Sequence, residues 1–83
     1  MTKTVKVTAS KIKDARLLAE IVGKANEFSS RIIFIMDSKS INAKSIMGVM
    51  GLGIDCGSQL TIEATGDDQE AAIEAILDFL KEK

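Results

Sequence analysis

The hydrophobic period changes several times along this chain of 83 residues, and these changes limit the folds that it can adopt. Residues 3–8 alternate polar and apolar side chains, which is the period of a half-buried strand. Asp14 then suits a helix N-cap, because its carboxylate can accept a bond from an early backbone N–H. The apolar residues after it form one stripe at helical spacing: Leu17, Leu18, Ile21, Val22, Ala25 and Phe28. The chain therefore begins with a strand and an amphipathic helix.

The middle of the chain predicts a β-hairpin followed by a short helix. Residues 31–36 are rich in β-branched and aromatic side chains, which favour strands. Asp37-Ser38 suits a tight turn, and residues 39–43 then predict a second, shorter strand. The apolar segment that follows the hairpin is headed by Ser45 and predicts a short helix.

The last third of the chain predicts a strand and a longer helix. Residues 59–65 return to the alternating period of a half-buried strand. A helix begins after residues 66–68, with acidic residues in its first turn and lysines in its last, as the helix dipole favours. Its apolar stripe consists of Ala72, Ile73, Ile76, Leu77 and Leu80. The predicted order is therefore β-α-β-β-α-β-α.

This order predicts an α+β domain of two layers. Alternating strands bury one face and expose the other, which is typical of antiparallel sheets, and helices then cover the apolar face. A ferredoxin-like split βαβ arrangement is the main alternative, and the pattern leaves it open. The length predicts a single domain over residues 1–83. So small a domain has no room for a deep enclosed active site, and we expect no enzymatic activity.

The composition excludes several classes of function. The chain contains no histidine, which excludes imidazole catalysis, histidine phosphorylation and histidine metal ligands. One cysteine alone cannot supply a His/Cys metal site either, so we expect neither a metal nor a cofactor. A net charge of −1 and a pI near 5.3 are far from the basic values typical of nucleic-acid binding.

The sequence also carries expectations about cellular location. No apolar run is long enough for a signal peptide or a membrane span, so we expect a cytoplasmic protein. The single cysteine, Cys56, excludes an intramolecular disulfide, which agrees with a reducing compartment. Free cysteines are usually buried, so we expect Cys56 to be a small, partly buried residue rather than a reactive thiol.

Residues 42–53, with the sequence NAKSIMGVMGLG, combine three glycines with a short apolar run. Ser45 lies where an N-cap should be, and capping is a sufficient role for it. Phosphorylation is the alternative, because a phosphoryl group there would lie among free N–H groups at the positive end of a helix. In so short a helix, Ile46, Met47 and Met50 cannot all face inward, so a small apolar patch beside Ser45 predicts a docking site for a partner protein. Met50 is equally compatible with the core, and we expect Leu52 to be buried.

This segment closely resembles the regulatory-serine motif of HPr, the small phosphocarrier protein of the bacterial sugar phosphotransferase system. The resemblance covers essentially the whole chain and implies an open-faced β-sandwich, with a four-stranded antiparallel sheet and three helices on one face. In Gram-positive HPr-like proteins a kinase/phosphorylase phosphorylates this serine, and the phosphoprotein acts as corepressor for a catabolite-control transcription regulator. The resemblance implies that Ser45 is a phosphorylation site and that Ile46, Met47 and Met50 contact partners.

The chain departs from HPr at the phosphocarrier motif, Gly-Leu-His-Ala-Arg-Pro-Ala. The corresponding residues 12–18 read IKDARLL and retain only Ala15 and Arg16. Asp14 occupies the position of the phosphohistidine, so phosphate transfer through histidine is not expected. The resemblance implies that Arg16 contacts partner proteins; a solvated arginine, or one that pairs with Asp14, is the alternative.

Three functions are compatible with these observations. The first is a regulatory module in carbon catabolite control that is switched by phosphorylation of Ser45. Its partners would be HPr kinase/phosphorylase and a catabolite-control transcription regulator or other phosphotransferase-system proteins. The second is an unusual phosphocarrier in which Asp14 forms an acyl phosphate, and the third is a non-phosphorylated scaffold that binds HPr partners. We expect no direct contact with nucleic acid or membrane, and the oligomeric state stays open.

Overall fold

The computed structural model describes residues 1–81 as a four-stranded antiparallel sheet with three helices on one face. The elements in chain order are β1 (Thr2–Lys6), α1 (Ala15–Ala25), β2 (Arg31–Met36), β3 (Lys39–Asn42), α2 (Ile46–Leu52), β4 (Gln59–Thr65) and α3 (Gln69–Leu80). This order confirms the predicted β-α-β-β-α-β-α arrangement. Residues 82–83, which the single-domain prediction includes, lie outside the described residues.

The sheet has the order β1-β4-β2-β3, and each neighbouring pair is antiparallel. Ile32 of β2 lies opposite Ala64 of β4, and Phe34 lies opposite Ile62. Because side chains alternate along a strand, all four point to the same face. They are fully buried there, under the helices, whereas Ile33 on the other face is only half-buried.

The helices contribute unequally to the core. The long helices α1 and α3 each present an apolar stripe of four or five buried side chains, as predicted. By contrast, α2 buries only Val49 and Leu52. The loop between β1 and α1 adds Ile12, which is 1% exposed. The middle helix is thus the least embedded element of the helical layer.

Several element boundaries differ from the prediction. Both β1 and β3 end one or two residues early, and α1 ends at Ala25 rather than near Phe28. The last turn of α3 contains no basic residue, and Lys81 follows it as the C-cap, so the predicted lysines of that turn are wrong for the described residues. The hairpin itself is confirmed. Asp37 and Ser38 have φ of 50° and 64°, and two positive φ values form the tight turn that matches the twist of paired strands.

One carboxylate joins the end of the α1–β2 loop to the start of α3. The Asp68 carboxylate accepts the backbone N–H groups of Ser29 and Ser30, both at 2.9 Å, and also both serine hydroxyls. These bonds favour the charged form, and they lower the pKa of Asp68 to about 2. The Ser30 hydroxyl is the largest cause, followed by the Ser29 N–H. Gly66 allows this close approach, since a Cβ there would lie 2.8 Å from the Ser30 Cα.

The lowered pKa of Asp68 predicts that the free energy of unfolding depends on pH. The folded-state value of about 2 lies below the ordinary 3.8, so the carboxylate stabilises the fold above the ordinary value. That contribution is lost as the pH falls through this window. We expect Asp68→Ala to lower the urea midpoint at neutral pH. The difference in urea midpoint between this variant and wild type should shrink as the pH falls from about 4 to about 2.

The matched control for this measurement is Asp67→Ala, which removes the neighbouring exposed carboxylate. We expect its urea midpoint to stay near that of wild type across the same pH range. If the difference in urea midpoint between Asp68→Ala and wild type is the same at neutral pH and at about pH 2, the charged carboxylate does not stabilise the contact between the α1–β2 loop and α3.

Candidate functional site

The Ser45 segment forms a short helix that is capped at both ends. Ser45 has extended backbone angles, φ −104° and ψ 117°, and its Oγ accepts the Gly48 N–H at 3.3 Å. This geometry confirms the predicted N-cap. Gly53 ends α2 with φ of 74°, in the left-handed region that glycine adopts without steric cost. A helix of seven residues has little stability of its own, so its caps and its buried side chains hold it.

Ser45 and the apolar side chains that follow it lie at the surface. Ser45 is exposed, and the exposed fractions of Ile46, Met47 and Met50 are 37%, 82% and 48%. We refer to these three apolar residues as the α2 patch. Leu52 is buried, as predicted, and the alternative for Met50 is decided in favour of the surface.

The geometry of a helix explains why the patch is exposed. Successive residues are turned by about 100°, so Val49 and Leu52 point in similar directions, toward the core. Met47 lies nearly opposite them and is the most exposed of the three patch residues. Ile46 and Met50, four residues apart, lie next to each other on one side of Met47 and are half-exposed. The patch is therefore the outer side of a helix whose inner side is already occupied.

Asp14 serves as the N-cap of α1, as predicted. Its Oδ1 accepts the Arg16 backbone N–H at 2.8 Å. Within residues 1–81 no ion pair joins the Arg16 guanidinium to this carboxylate, so the pairing that the sequence allowed is a backbone hydrogen bond instead. The adjacent Lys13 forms an ion pair with Asp55 at 2.6 Å, and both side chains are well exposed, so the pair contributes little stability.

The two predicted phosphoacceptor positions do not share a cavity. A shallow, open depression beside the start of α1 is lined by Lys11, Asp14, Arg16, Leu17 and Glu20. Ser45 and the α2 patch do not line it, although α2 packs against α1. The structure thus brings Asp14 and Arg16 together, and separately brings Ser45 together with the α2 patch.

Two further observations concern other classes of site. In the part of the chain that the structure describes, no group of three His, Cys, Asp or Glu side chains is arranged to hold a metal ion. Across the same residues, no helix is both long enough and apolar enough to cross a membrane.

The expected partial burial of Cys56 is wrong, because its side chain is exposed. It lies in the turn between α2 and β4, where Ile54 enters the core and the Ser58 N–H bonds the Asp55 carbonyl at 3.0 Å. The residues between Ile54 and Ser58 therefore lie outside the core. The Cys56 Sγ donates to the Thr8 carbonyl oxygen at 3.8 Å.

Two residues that the sequence analysis did not single out, Asn26 and Lys44, join the segment before Ser45 to the region at the end of α1. The Asn26 Nδ2 donates to the Lys44 carbonyl at 3.2 Å, and the Lys44 Nζ donates to the Phe28 carbonyl at 2.7 Å. An asparagine near the end of a helical stripe predicts at most a helix end. A lysine before a serine is an ordinary surface residue in sequence, so nothing in the pattern indicated that the two would meet.

Comparison with known proteins shows the family. The sequence matches the family model PTS-HPr, the PTS HPr component phosphorylation site, over residues 1–82. The chain therefore belongs to the HPr family of the phosphotransferase system. It is 41% identical over 81 residues to the HPr-like protein Crh of Halalkalibacterium halodurans. This match covers 98% of this chain and 96% of that protein.

Solved structures agree with this assignment. The phosphocarrier protein HPr of Bacillus anthracis superposes with a TM-score of 0.93 at 41% identity, over 98% of this chain and 96% of that chain. Crh, the Bacillus subtilis catabolite repression containing protein, superposes with a TM-score of 0.76 at 39% identity. That match covers 81% of this chain and 77% of that chain. That structure is a dimer with a swapping domain. The match confirms the HPr fold and decides against the ferredoxin-like alternative.

The cap on α2 leads to a stability prediction for Ser45. Replacement by alanine leaves the Gly48 N–H without its side-chain acceptor, so we expect Ser45→Ala to lower the free energy of unfolding by about 1 kcal/mol in urea denaturation. Ser45→Asp retains an oxygen acceptor at the cap and should unfold close to wild type. An alanine variant as stable as wild type would contradict the capping role.

Proposed function

We propose that this chain is a regulatory binding module of the HPr family that acts in the cytoplasm in carbon catabolite control. Phosphorylation of Ser45 switches its binding to partner proteins. One observation carries the proposal: an exposed serine hydroxyl lies beside the exposed α2 patch, in a chain that contains no histidine.

The chemistry of a phosphoryl group suits such a switch. It adds nearly two negative charges and three strong acceptor oxygens, so the net charge of −1 would become about −3. The group would lie at the cap of α2, where the Gly48 N–H already bonds the Ser45 Oγ. The buried Val49 and Leu52 are on the other side of the helix, so the modification changes the surface without disturbing the core.

The alternative of a phosphocarrier that uses Asp14 has less support. Because the chain has no imidazole nitrogen to form a phosphoramidate, such a carrier would have to form an acyl phosphate on the Asp14 carboxylate. The Asp14 carboxylate is engaged as an N-cap, which accounts for the residue without any reaction. Arg16 lines the same open depression, which supports a role in contacting a partner protein rather than in catalysis. A depression this open encloses no substrate, and the module is not an enzyme.

The relatives support the regulatory assignment. An HPr-like protein Crh matches nearly the whole chain, and the Crh of Bacillus subtilis is described as a catabolite repression protein. By this likeness the partners are HPr kinase/phosphorylase, which would modify Ser45, and a catabolite-control transcription regulator, which would bind the phosphorylated form. Other proteins of the phosphotransferase system are further partners of this class.

Phosphorylation is tested with a purified HPr kinase/phosphorylase, ATP and intact-mass measurement. We expect one phosphate per chain, mapped to Ser45 by fragmentation, and none on Ser45→Ala. Ser40→Ala, which removes another exposed hydroxyl, should accept one phosphate as wild type does. No added phosphate, or phosphate on a different residue, would overturn the switch. With enzyme I and phosphoenolpyruvate, a hydroxylamine-labile label on Asp14 would instead support the carrier alternative.

Partner binding is tested by titration with a catabolite-control transcription regulator. We expect phosphorylated chain to bind at least about ten-fold more tightly than unphosphorylated chain. Met47→Gln should weaken that binding by about ten-fold, because it removes the most exposed apolar side chain of the α2 patch. Glu74→Gln on α3 is the control and should bind as wild type does. Equal binding by the Met47→Gln variant would remove the α2 patch from the interface.

A further inference from the structure

We infer that Asn26 and Lys44 are positioning residues for phosphoryl transfer to Ser45. They fasten the chain just before Ser45 to the end of α1, and so hold the hydroxyl in one place relative to the α2 patch. The inference rests on the proposed function, because it concerns the same serine. We refer to the contacts of these two residues as the clasp.

The Asn26 side chain bridges two elements. It follows α1 directly as its C-cap, and its backbone N–H donates to the Val22 carbonyl at 3.0 Å. Its Nδ2 donates to the same carbonyl at 2.9 Å and to the Lys44 carbonyl at 3.2 Å. A carboxamide offers two N–H donors on one nitrogen, so a single side chain can cap the helix and hold the neighbouring segment.

Lys44 completes the clasp from the other side. Its Nζ donates to the Phe28 carbonyl at 2.7 Å, and the residue is half-buried. Surface lysines usually extend the ammonium group into water, whereas here it contacts main-chain oxygen just beyond the C-terminal end of α1. Phe28 packs against the core, so the ammonium is anchored to a fixed part of the molecule.

The rest of the segment before Ser45 is also held internally. The Lys44 N–H donates to the Asn42 Oδ1 at 2.9 Å, and the Ser45 N–H donates to the Asn42 carbonyl at 3.0 Å. Ala43 is fully buried, and its N–H donates to the Ile32 carbonyl at 2.9 Å. The main chain leading to Ser45 is therefore bonded at each step, while the hydroxyl and the α2 patch face solvent.

The reaction gives this rigidity a function. The Ser45 Oγ forms a bond to the γ-phosphorus of a nucleoside triphosphate as the bond from that phosphorus to the nucleoside diphosphate breaks. The hydroxyl proton goes to a base that the kinase supplies. Attacking and leaving oxygens must be nearly in line, and a displacement of about 1 Å can cost about 100-fold in rate. The α2 patch locates Ser45 from its C-terminal side, and the clasp locates it from its N-terminal side.

The test measures kcat and KM for phosphorylation by HPr kinase/phosphorylase with ATP. We expect Asn26→Ala and Lys44→Met each to lower kcat about ten-fold, with KM nearly unchanged because the α2 patch is intact. The double variant should fall little further than the worse single variant, since both changes break one clasp. Lys44→Arg keeps a cation that can reach the Phe28 carbonyl, and it should recover most of the lost kcat.

Glu27→Ala is the matched control. Glu27 is an exposed neighbour whose carboxylate contacts Lys24 at 3.4 Å and takes no part in the clasp. We expect wild-type kcat for this variant. Amide hydrogen exchange provides a second readout: exchange at Ser45 should accelerate in Asn26→Ala, while exchange in β2 and β4 stays unchanged.

The outcomes separate the inference from the function on which it rests. A wild-type chain that gains no phosphate on Ser45 overturns both. A wild-type chain that is phosphorylated, together with an Asn26→Ala variant of unchanged kcat, overturns the clasp alone. A rise in KM without a fall in kcat would also overturn it, because that result indicates direct contact with the kinase. Fully additive losses in the double variant would overturn the clasp as well, because two residues that hold the chain as one unit cannot contribute independently.

Discussion

Burial of one face of the sheet holds the three helices in place, and the candidate site depends on it. The antiparallel register of β2 and β4 puts Ile32, Phe34 and Ile62 on a continuous apolar face. Two long helices cover most of that face, and α2 contributes only two inward side chains. A helix of this length with its inner side occupied must leave its remaining apolar residues outside. The exposed patch is therefore a geometric consequence of the core rather than an independent feature.

Short polar side chains at helix ends connect this scaffold to function. Asp14 and Ser45 each accept a backbone N–H at the start of a helix. Because the two caps belong to different helices and line no common cavity, a substitution at one need not alter the contacts of the other.

The end of α1 has a second role in this arrangement. It carries the Asn26 amide and the Phe28 carbonyl, which hold Lys44 by its main chain and its side chain. The main chain on the N-terminal side of Ser45 is thus held by hydrogen bonds, whereas the α2 patch on its C-terminal side is apolar and adaptable. Groups that are already held in place lose less conformational entropy on binding, so such a combination suits docking by the folded chain.

Much of the local structure followed from the sequence, since period, propensity and capping are local properties. This includes the order of elements, the strands at residues 31–36 and 59–65, and both N-caps. The serine motif also indicated the family, which the comparisons confirm. Only the tertiary structure decided what depends on distant residues: the exposure of Met50 and Cys56, and the contacts of Asp68 with two serines. It likewise decided the meeting of Asn26 with Lys44, eighteen residues apart. Local sequence patterns do not predict such contacts, because the contacts form only when packing brings separate elements together.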